Sequence, residues 1–558
     1  MIASTVTLPI RAYRREGCRN VDMQGLRSVW QGLSIVFALL LCSVSCSSAA
    51  NGSIAVDGRG LRHPIPSHIM KWNDKLDVQK WLDAVREEIT KKGTVPIDSN
   101  CDAQFGQGYL DKWKAAKKDV CKPGGKSTYS CYAHPPSSRG NNVGSMFCTA
   151  TNLILDSADF IGDIMTNPAA RFPNPKKGSA RVACSLPDPL PWTRQQVADQ
   201  HTDRWLYDAL TAAPADEVEA TCSDPRRTVP HPVYFMTRMD TTNAFHHFEE
   251  IVNFFAALWL FPDKQLLQQG IAVVMFDGHP PGFYLELWRR AAYPYRIRFL
   301  RSRPYPPGTC FKHVLLASMP HRSLYTHFWP GMQTSCRSLV FSAVMGWAHA
   351  LMADTRPESY TWPDGQHRQN EDTVVGRVTW VSRRHFEAAN KGRMNSWQMQ
   401  RMLNNEDAVV PALSAAVTQW NARSCLRQPG AADCRRLPVY FEFGTMELGD
   451  HRWYPEQLST LSRTNVLMAV HGAGVFNEVW LRPATSSVIE VMHNAGGNYH
   501  YRNIAAFLGL PYSDMGSAHD PAQLAAKLTE VMDETARRMA AEHQRKRAAE
   551  KAAAERDA

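Results

Sequence analysis

The sequence lacks the signatures of several common functional classes. Among its thirteen cysteines there is no CxxC pair, and no HxxxH follows one, so zinc-site spacing is absent. No GxSxG elbow, HExxH, Walker A or kinase set occurs, which removes the usual hydrolase, metalloprotease and kinase readings. No internal repeat with a period of about 20–50 residues is present, which excludes a solenoid or propeller. The formal net charge is +10. It comes without a zinc finger, an RNA-recognition signature or a basic helix interleaved with aromatics, so no nucleic-acid partner is expected.

What is present points to the secretory route. Ten of the cysteines fall between Cys101 and Cys434, an even number that suits disulfides in an oxidising lumen. Cys425 and Cys434 could close a small loop, and Cys310 and Cys336 a longer one. Before them, Arg11, Arg14, Arg15, Arg19 and Arg27 precede an apolar run whose centre is Leu33 to Val44. A cytosolic tail (1–28), a transmembrane signal-anchor (29–49) and a lumenal remainder follow from that order. A cleaved signal peptide is the competing reading, favoured by the small residues Ser47 to Ala50. Both send the bulk of the chain to one compartment. Asn51-Gly52-Ser53 is a glycosylation sequon close to the membrane. The RDA ending is not a KDEL-type retrieval signal, so Golgi membrane is expected before endoplasmic reticulum.

Length and composition allow a large core divided among two or three domains. Residues 50–95 read as a stem with an amphipathic stretch from Val78 to Ile89. Residues 96–200, rich in Cys, Gly, Pro, Asn and Ser, read as loop-heavy and cross-linked. From about residue 229 strands and helices alternate. Strands are expected at 233–237 and 271–277, the second ending at Asp277, with a helix between them at 244–261. A polar stretch, 357–372, marks a linker. A second series follows: strands at 376–383, 437–443, 465–470 and 487–492, and helices at 405–420, 454–463, 475–482 and 499–509. Such alternation indicates α/β folding with parallel sheets covered on both faces. Residues 521–558 read as a charged helix or solvated tail.

Five segments could carry chemistry. In VLMAVHGAGVFNEVWLRP (466–483) a buried strand runs into His471-Gly472-Ala473-Gly474 and then a helix. Glycine permits close backbone approach, and amides at a helix start attract phosphate. Arg383 and Arg384 close a strand, where a guanidinium could fork onto a diphosphate. Asn405, Glu406 and Asp407 open a helix, and Glu490 interrupts an apolar strand, where a ribose diol could meet it. Last, Asp240, Asn243, His246, His247 and Glu250 lie around a helix start. There His246 and Glu250 fall at i and i+4, a spacing that could set up a general base. No Asp-x-Asp stands between apolar residues, so charge neutralisation by arginine and helix dipole is expected in place of a metal.

Taken together, the ordered set NAFHHFEE, VSRR, NED and HGAGVFNEVWLRPATSSVIEV resembles the family 61 glycosyltransferases. The likeness runs over roughly 230–515 and more weakly through SMFCTATNLILD (145–156) and CFKHVLLASMP (310–320). It is nearest to the EGF-domain-specific O-linked N-acetylglucosamine transferase branch. The resemblance implies a GT-B architecture, with an acceptor-side domain at 96–365 and a nucleotide-sugar domain at 366–520. It implies inverting transfer of a sugar, GlcNAc or xylose, from a UDP-sugar to a hydroxyl of a protein or glycan, without a required metal. Arg383, Arg384, His471 to Gly474, Asn477, Glu490, Asn405 and Glu406 would serve the donor. Glu250 and His246 would face the acceptor hydroxyl, with Asp240, Asn243, His247 and Asp277 around them. Glu250 stands where several relatives carry Asp, and Phe476, Asn477 and Glu478 depart from the common pattern. These departures bear on sugar and acceptor rather than on class. A catalytically inactive lumenal glycan- or nucleotide-sugar-binding protein of the same fold is the alternative.

Overall fold

A computed structural model describes residues 75–91, 98–133, 146–161, 175–197, 204–241, 243–317, 323–325, 333–352, 373–389, 401, 403–423, 437–451, 454–491, 497–517 and 519–557. The apolar run at 29–49, the sequon at Asn51, the linker at 357–372 and the cysteines Cys18, Cys42, Cys46, Cys425 and Cys434 lie outside them. Among the described residues no helix is long and apolar enough to cross a membrane.

Two sheets organise the chain. The first contains β1 (Lys117–Asp119), β2 (Thr128–Ala133), β3 (Met146–Leu155), β4 (Ala180–Val182), β5 (Leu210–Ala212), β6 (Thr228–Met236), β7 (Ala272–Met275), β8 (Arg298–Phe299) and β9 (Thr309–Leu316). Its path is β1-β2-β3-β9-β6-β7-β8, with β4 joined to β3 and β5. The β9-β6-β7-β8 part is parallel and the β1-β2-β3-β9 part antiparallel. The segment expected to be loop-heavy thus supplies several strands of this sheet. Four disulfides tie it: Cys101–Cys336, Cys121–Cys184, Cys131–Cys148 and Cys222–Cys310. The expected Cys310–Cys336 loop is corrected. Cys310 begins β9 beside the helix Ala215–Ser223, which brings Cys222 to it.

The second sheet is wholly parallel and built from β10 (Val374–Ser382), β11 (Val439–Glu447), β12 (Val466–Val470), β13 (Ser487–Val491) and β14 (Tyr512–Asp514). All five residues of β12 and all five of β13 are buried, as expected of strands covered on both faces. The order is β11-β10-β12-β13-β14. The chain runs outward one way from β10 to β11, then returns to the other side of β10 and continues, so the direction reverses between β10 and β12. A crevice at such a reversal, outside the C-terminal strand ends, is where open α/β sheets bind ligands. The far edge is blunted by Asn421, whose amide donates to the Phe441 carbonyl (2.7 Å) and accepts from its N–H (3.0 Å).

The helix Ala244–Leu260 opens where the Asn243 side chain accepts the Phe245 N–H at 3.0 Å, a cap of about 1 kcal/mol. Sixteen of its seventeen residues are buried and only His246 is not, so it is a core helix with one residue open to a ligand. Phe245 and Phe248 pack on Phe476 at 5.7 and 5.2 Å between ring centres. One apolar cluster therefore runs from this helix and Leu339–Leu351 into Val381, Trp480 and Tyr501. The two sheets share this cluster, and each has a further one of its own.

Two sequence boundaries shift. The stretch assigned to a stem forms the helix Val78–Lys91, with Trp81, Leu82, Val85 and Ile89 inside that same cluster. The helix Pro521–Asp557 is not wholly a tail. Leu524, Leu528, Val531, Met532, Ala536 and Met539 pack with Val378, Trp380 and Phe441 against the second sheet.

Candidate functional site

At the β10/β12 reversal, Arg383 follows β10 and His471 follows β12. Gly472 has φ +148°, and a Cβ on it would lie 3.4 Å from Arg383 Nη1 and 3.7 Å from Arg401 Nη1. Two guanidinium groups thus converge over a backbone position whose φ favours glycine. Burial lowers the Arg401 pKa first, and the Arg383 charge lowers it further, while Tyr501 and Glu490 oppose both. Gly474 lies close under β10, where a Cβ would be 3.1 Å from Val381 Cγ1. Ala473 is half-buried in the same turn.

The expected α-helix after this turn is a 3-10 segment, Val475–Trp480. Its first donors are already used, Val475 N–H on the Gly472 carbonyl at 2.9 Å and Asn477 N–H on that of Gly474 at 3.3 Å. The Asn477 side chain also donates to the Gly474 carbonyl, at 3.0 Å. A six-residue 3-10 segment sums few peptide dipoles. The positive charge at this turn comes from the arginines rather than from a helix start.

Glu490 is buried. Its Oε1 lies 2.5 Å from His471 Nδ1, and its Oε2 accepts from the Tyr512 hydroxyl. Arg384 is drawn off the turn by Asp407 at 2.5 Å and Glu406 at 3.6 Å. Glu406 itself accepts the Trp380 indole N–H at 2.7 Å, and Asn405 donates to the His519 carbonyl at 2.9 Å. These three residues anchor the start of the helix Glu406–Ala422 and leave the donor set.

The opposite wall comes from the other sheet's helix. His246, 26% exposed at its side chain, points Nδ1 to Glu249 Oε2 at 2.9 Å. The expected His246–Glu250 pair is not formed. Glu250 is buried, takes the Met239 N–H on Oε1 at 2.7 Å, and has its pKa raised well above the ordinary value, chiefly by burial. His247 lies 3.8 Å from Glu250 and stacks on Tyr284 with ring centres 4.4 Å apart. Burial, then the Arg238 charge, pushes its pKa down to about 3. Asp240 accepts the Asn243 N–H at 3.1 Å as part of the helix start. Asp277 is closed in a buried pair with Arg238, at 2.7 Å, and also takes the Arg238 and His279 amides. Its role is structural.

His500, from the helix His500–Leu508, stands between the walls. Burial pushes its pKa down to about 3, helped by the nearby charges of His471, His246 and Arg401. Phe245 meets both His500 and Tyr501, at 5.2 and 5.9 Å. Arg383, Arg401, His471, Gly472, His500 and His246 therefore form one constellation, rich in cations and donors. Arg401, His500, Tyr501 and Tyr512 had no sequence signal, because each reaches the site only through the return of a distant element; for Glu249, the sequence spacing favours its neighbour Glu250 on the same helix. Glu478, on the 3-10 segment, is fully buried, has neither carboxyl oxygen hydrogen-bonded, and has its pKa raised well above the ordinary value by burial and then by Glu490. A hollow of about 410 Å³ lined by Arg377, Ser414, Thr418 and Tyr440 is separate; Arg377 and Arg383 are six residues apart along β10, about 20 Å of extended chain. Neither a protein-family model nor a curated protein matches the chain.

Proposed function

We propose that the chain is an inverting glycosyltransferase of the secretory lumen, with its two α/β halves arranged as in GT-B enzymes and its membrane attachment in the N-terminal segment. It moves a sugar, GlcNAc or xylose, from a UDP-sugar to a hydroxyl of a protein or glycan. The observation that carries this reading is the meeting of Arg383 and Arg401 over Gly472 at a strand-order reversal, opposite His246. A pair of guanidiniums over a glycine suits a pyrophosphate, which accepts from both. The four disulfides support an oxidising compartment.

In this reading the acceptor oxygen attacks the anomeric carbon while its proton passes to His246, oriented by Glu249. The bond from that carbon to the diphosphate oxygen breaks, and UDP departs with the electron pair, its charge met by Arg383 and Arg401. Stabilising charge as it develops is commonly the largest catalytic contribution. Exclusion of water between the halves protects the donor from hydrolysis. Glu250, buried and holding the Met239 amide, is not the base in this reading.

The test is a thermal-shift and transfer screen of the purified protein against a panel of UDP-sugars. Selective stabilisation by one of them, with transfer lost in His246→Ala and kept in Glu250→Gln, is the expected result. Stabilisation without turnover would point to the inactive binding protein. No response to any uridine nucleotide would end the reading.

A further inference from the structure

The carboxylate behind the turn has a consequence for what the site selects. Three adjacent strand ends set His471, Glu490 and Tyr512 in a row: His471 follows β12, Glu490 lies in β13 and Tyr512 in β14. Both Glu490 oxygens are committed, Oε1 to His471 Nδ1 at 2.5 Å and Oε2 to the Tyr512 hydroxyl. A carboxylate only accepts, so the proton of a neutral His471 ring sits on Nδ1 and the lone pair is on Nε2. The guanidiniums over Gly472 are donors only. A nitrogen lone pair is unsuited to phosphate, which has no proton to give, and suited to a hydroxyl.

We propose that His471, in the tautomer fixed by Glu490, accepts a hydrogen bond from a ligand hydroxyl next to the diphosphate and makes the site select for that hydroxyl. This rests on the nucleotide-sugar reading of the site. It moves the sugar-hydroxyl contact from Glu490, whose two oxygens are both committed, to His471 Nε2; Glu490 and Tyr512 become positioning residues that act through the ring. The hydroxyl belongs either to the ribose or to the transferred sugar, since both flank a diphosphate.

Isothermal titration of the full chain separates these sources. UDP, 2′-deoxy-UDP and 3′-deoxy-UDP probe the ribose; the gain in affinity from UDP to UDP-xylose or UDP-GlcNAc probes the sugar. Wild-type protein is expected to lose about tenfold in affinity when the recognised group is removed, the scale of one net hydrogen bond. In His471→Ala that sensitivity should vanish while UDP still binds through the arginines. Glu490→Leu supplies a second variant: with no acceptor at Nδ1 the ring tautomer is no longer fixed, and the discrimination should also weaken. Equal sensitivity to each group in wild type and both variants would overturn the proposal and leave the transferase reading intact. Absence of binding by any of these nucleotides to wild type would overturn both.

Discussion

The strand ends of the two sheets handle charge in opposite ways. Beyond β7, Asp277 and Arg238 are each 1% exposed at the side chain and close on one another at 2.7 Å. The Arg238 guanidinium also donates to the carbonyls of His279, Pro280 and Pro281, at 3.0, 2.9 and 2.7 Å. Nothing in that group calls for a ligand. Beyond β10 and β12, Arg383 and Arg401 crowd over Gly472, with the three histidines His246, His471 and His500 close by. Like charges brought together raise the free energy of the empty site and lower that of the site holding an anion. One arrangement closes an acid on a base, and the other gathers positive groups around a single glycine at the strand ends.

If that contrast is right, variants on the two sides fail differently. The largest effect is expected at Asp277→Ala, which strands a buried Arg238 charge and should cost about 3–5 kcal/mol of stability by denaturant unfolding. Affinity for UDP in the remaining folded protein should be unchanged. Arg383→Ala and Arg401→Ala are the converse. Each should lower kcat/KM for the UDP-sugar by about 10²-fold or more, the scale of losing an electrostatic stabiliser, with the unfolding midpoint little altered. Loss of UDP affinity in a folded Asp277→Ala, or normal turnover in Arg383→Ala, would erase the difference between the sheets.

Much of the second sheet was legible because its strands announce themselves. VLMAV is a continuous apolar run, and SVIEV is mostly apolar with Glu490 breaking it. The first sheet was harder. β2 and β3 are embedded among Cys, Ser, Thr and Asn, and β3 joins the sheet through β9, far along the chain. Local composition there says turn, and long-range pairing overrides it. For the site, Arg383 and HGAG were readable because each sits at a strand end. The i,i+4 rule chose Glu250 for His246, but Glu249, at i+3, took that place because Glu250 turns to the Met239 amide. Both spacings share a helix face, and only the packing decides between them. The stem assignment of Val78–Lys91 failed for the reason an amphipathic helix always permits: its apolar face needs a partner that the sequence does not name.

A smaller effect sharpens the comparison at the glycine. In Gly472→Ala a side chain enters at φ +148°, 3.4 Å from Arg383 Nη1. The backbone strain is about 1–3 kcal/mol, and the methyl group occupies space beneath both guanidiniums. UDP affinity should fall while the Arg238–Asp277 side stays unaffected, which titration of UDP into the variant would measure. A variant that binds UDP as wild type does would mean that the ligand does not lie over this turn.

The most gradual effect concerns Glu478. Its carboxyl is enclosed and unpartnered, and burial, reinforced by Glu490, raises its pKa well above the ordinary 4.5. Below that pH both folded and unfolded chains hold the proton, and no penalty arises. Above it the unfolded chain releases the proton and the folded chain keeps it, so the group favours unfolding by about 1.4 kcal/mol for each pH unit until the folded carboxyl itself ionises. Glu478→Gln removes the titration and preserves the volume. Its melting temperature should match wild type near pH 4.5 and exceed it progressively toward neutrality. Parallel melting curves for the two proteins from pH 5 to 8 would show that the carboxyl finds a partner, and Glu478 would then belong with the satisfied groups of the first sheet.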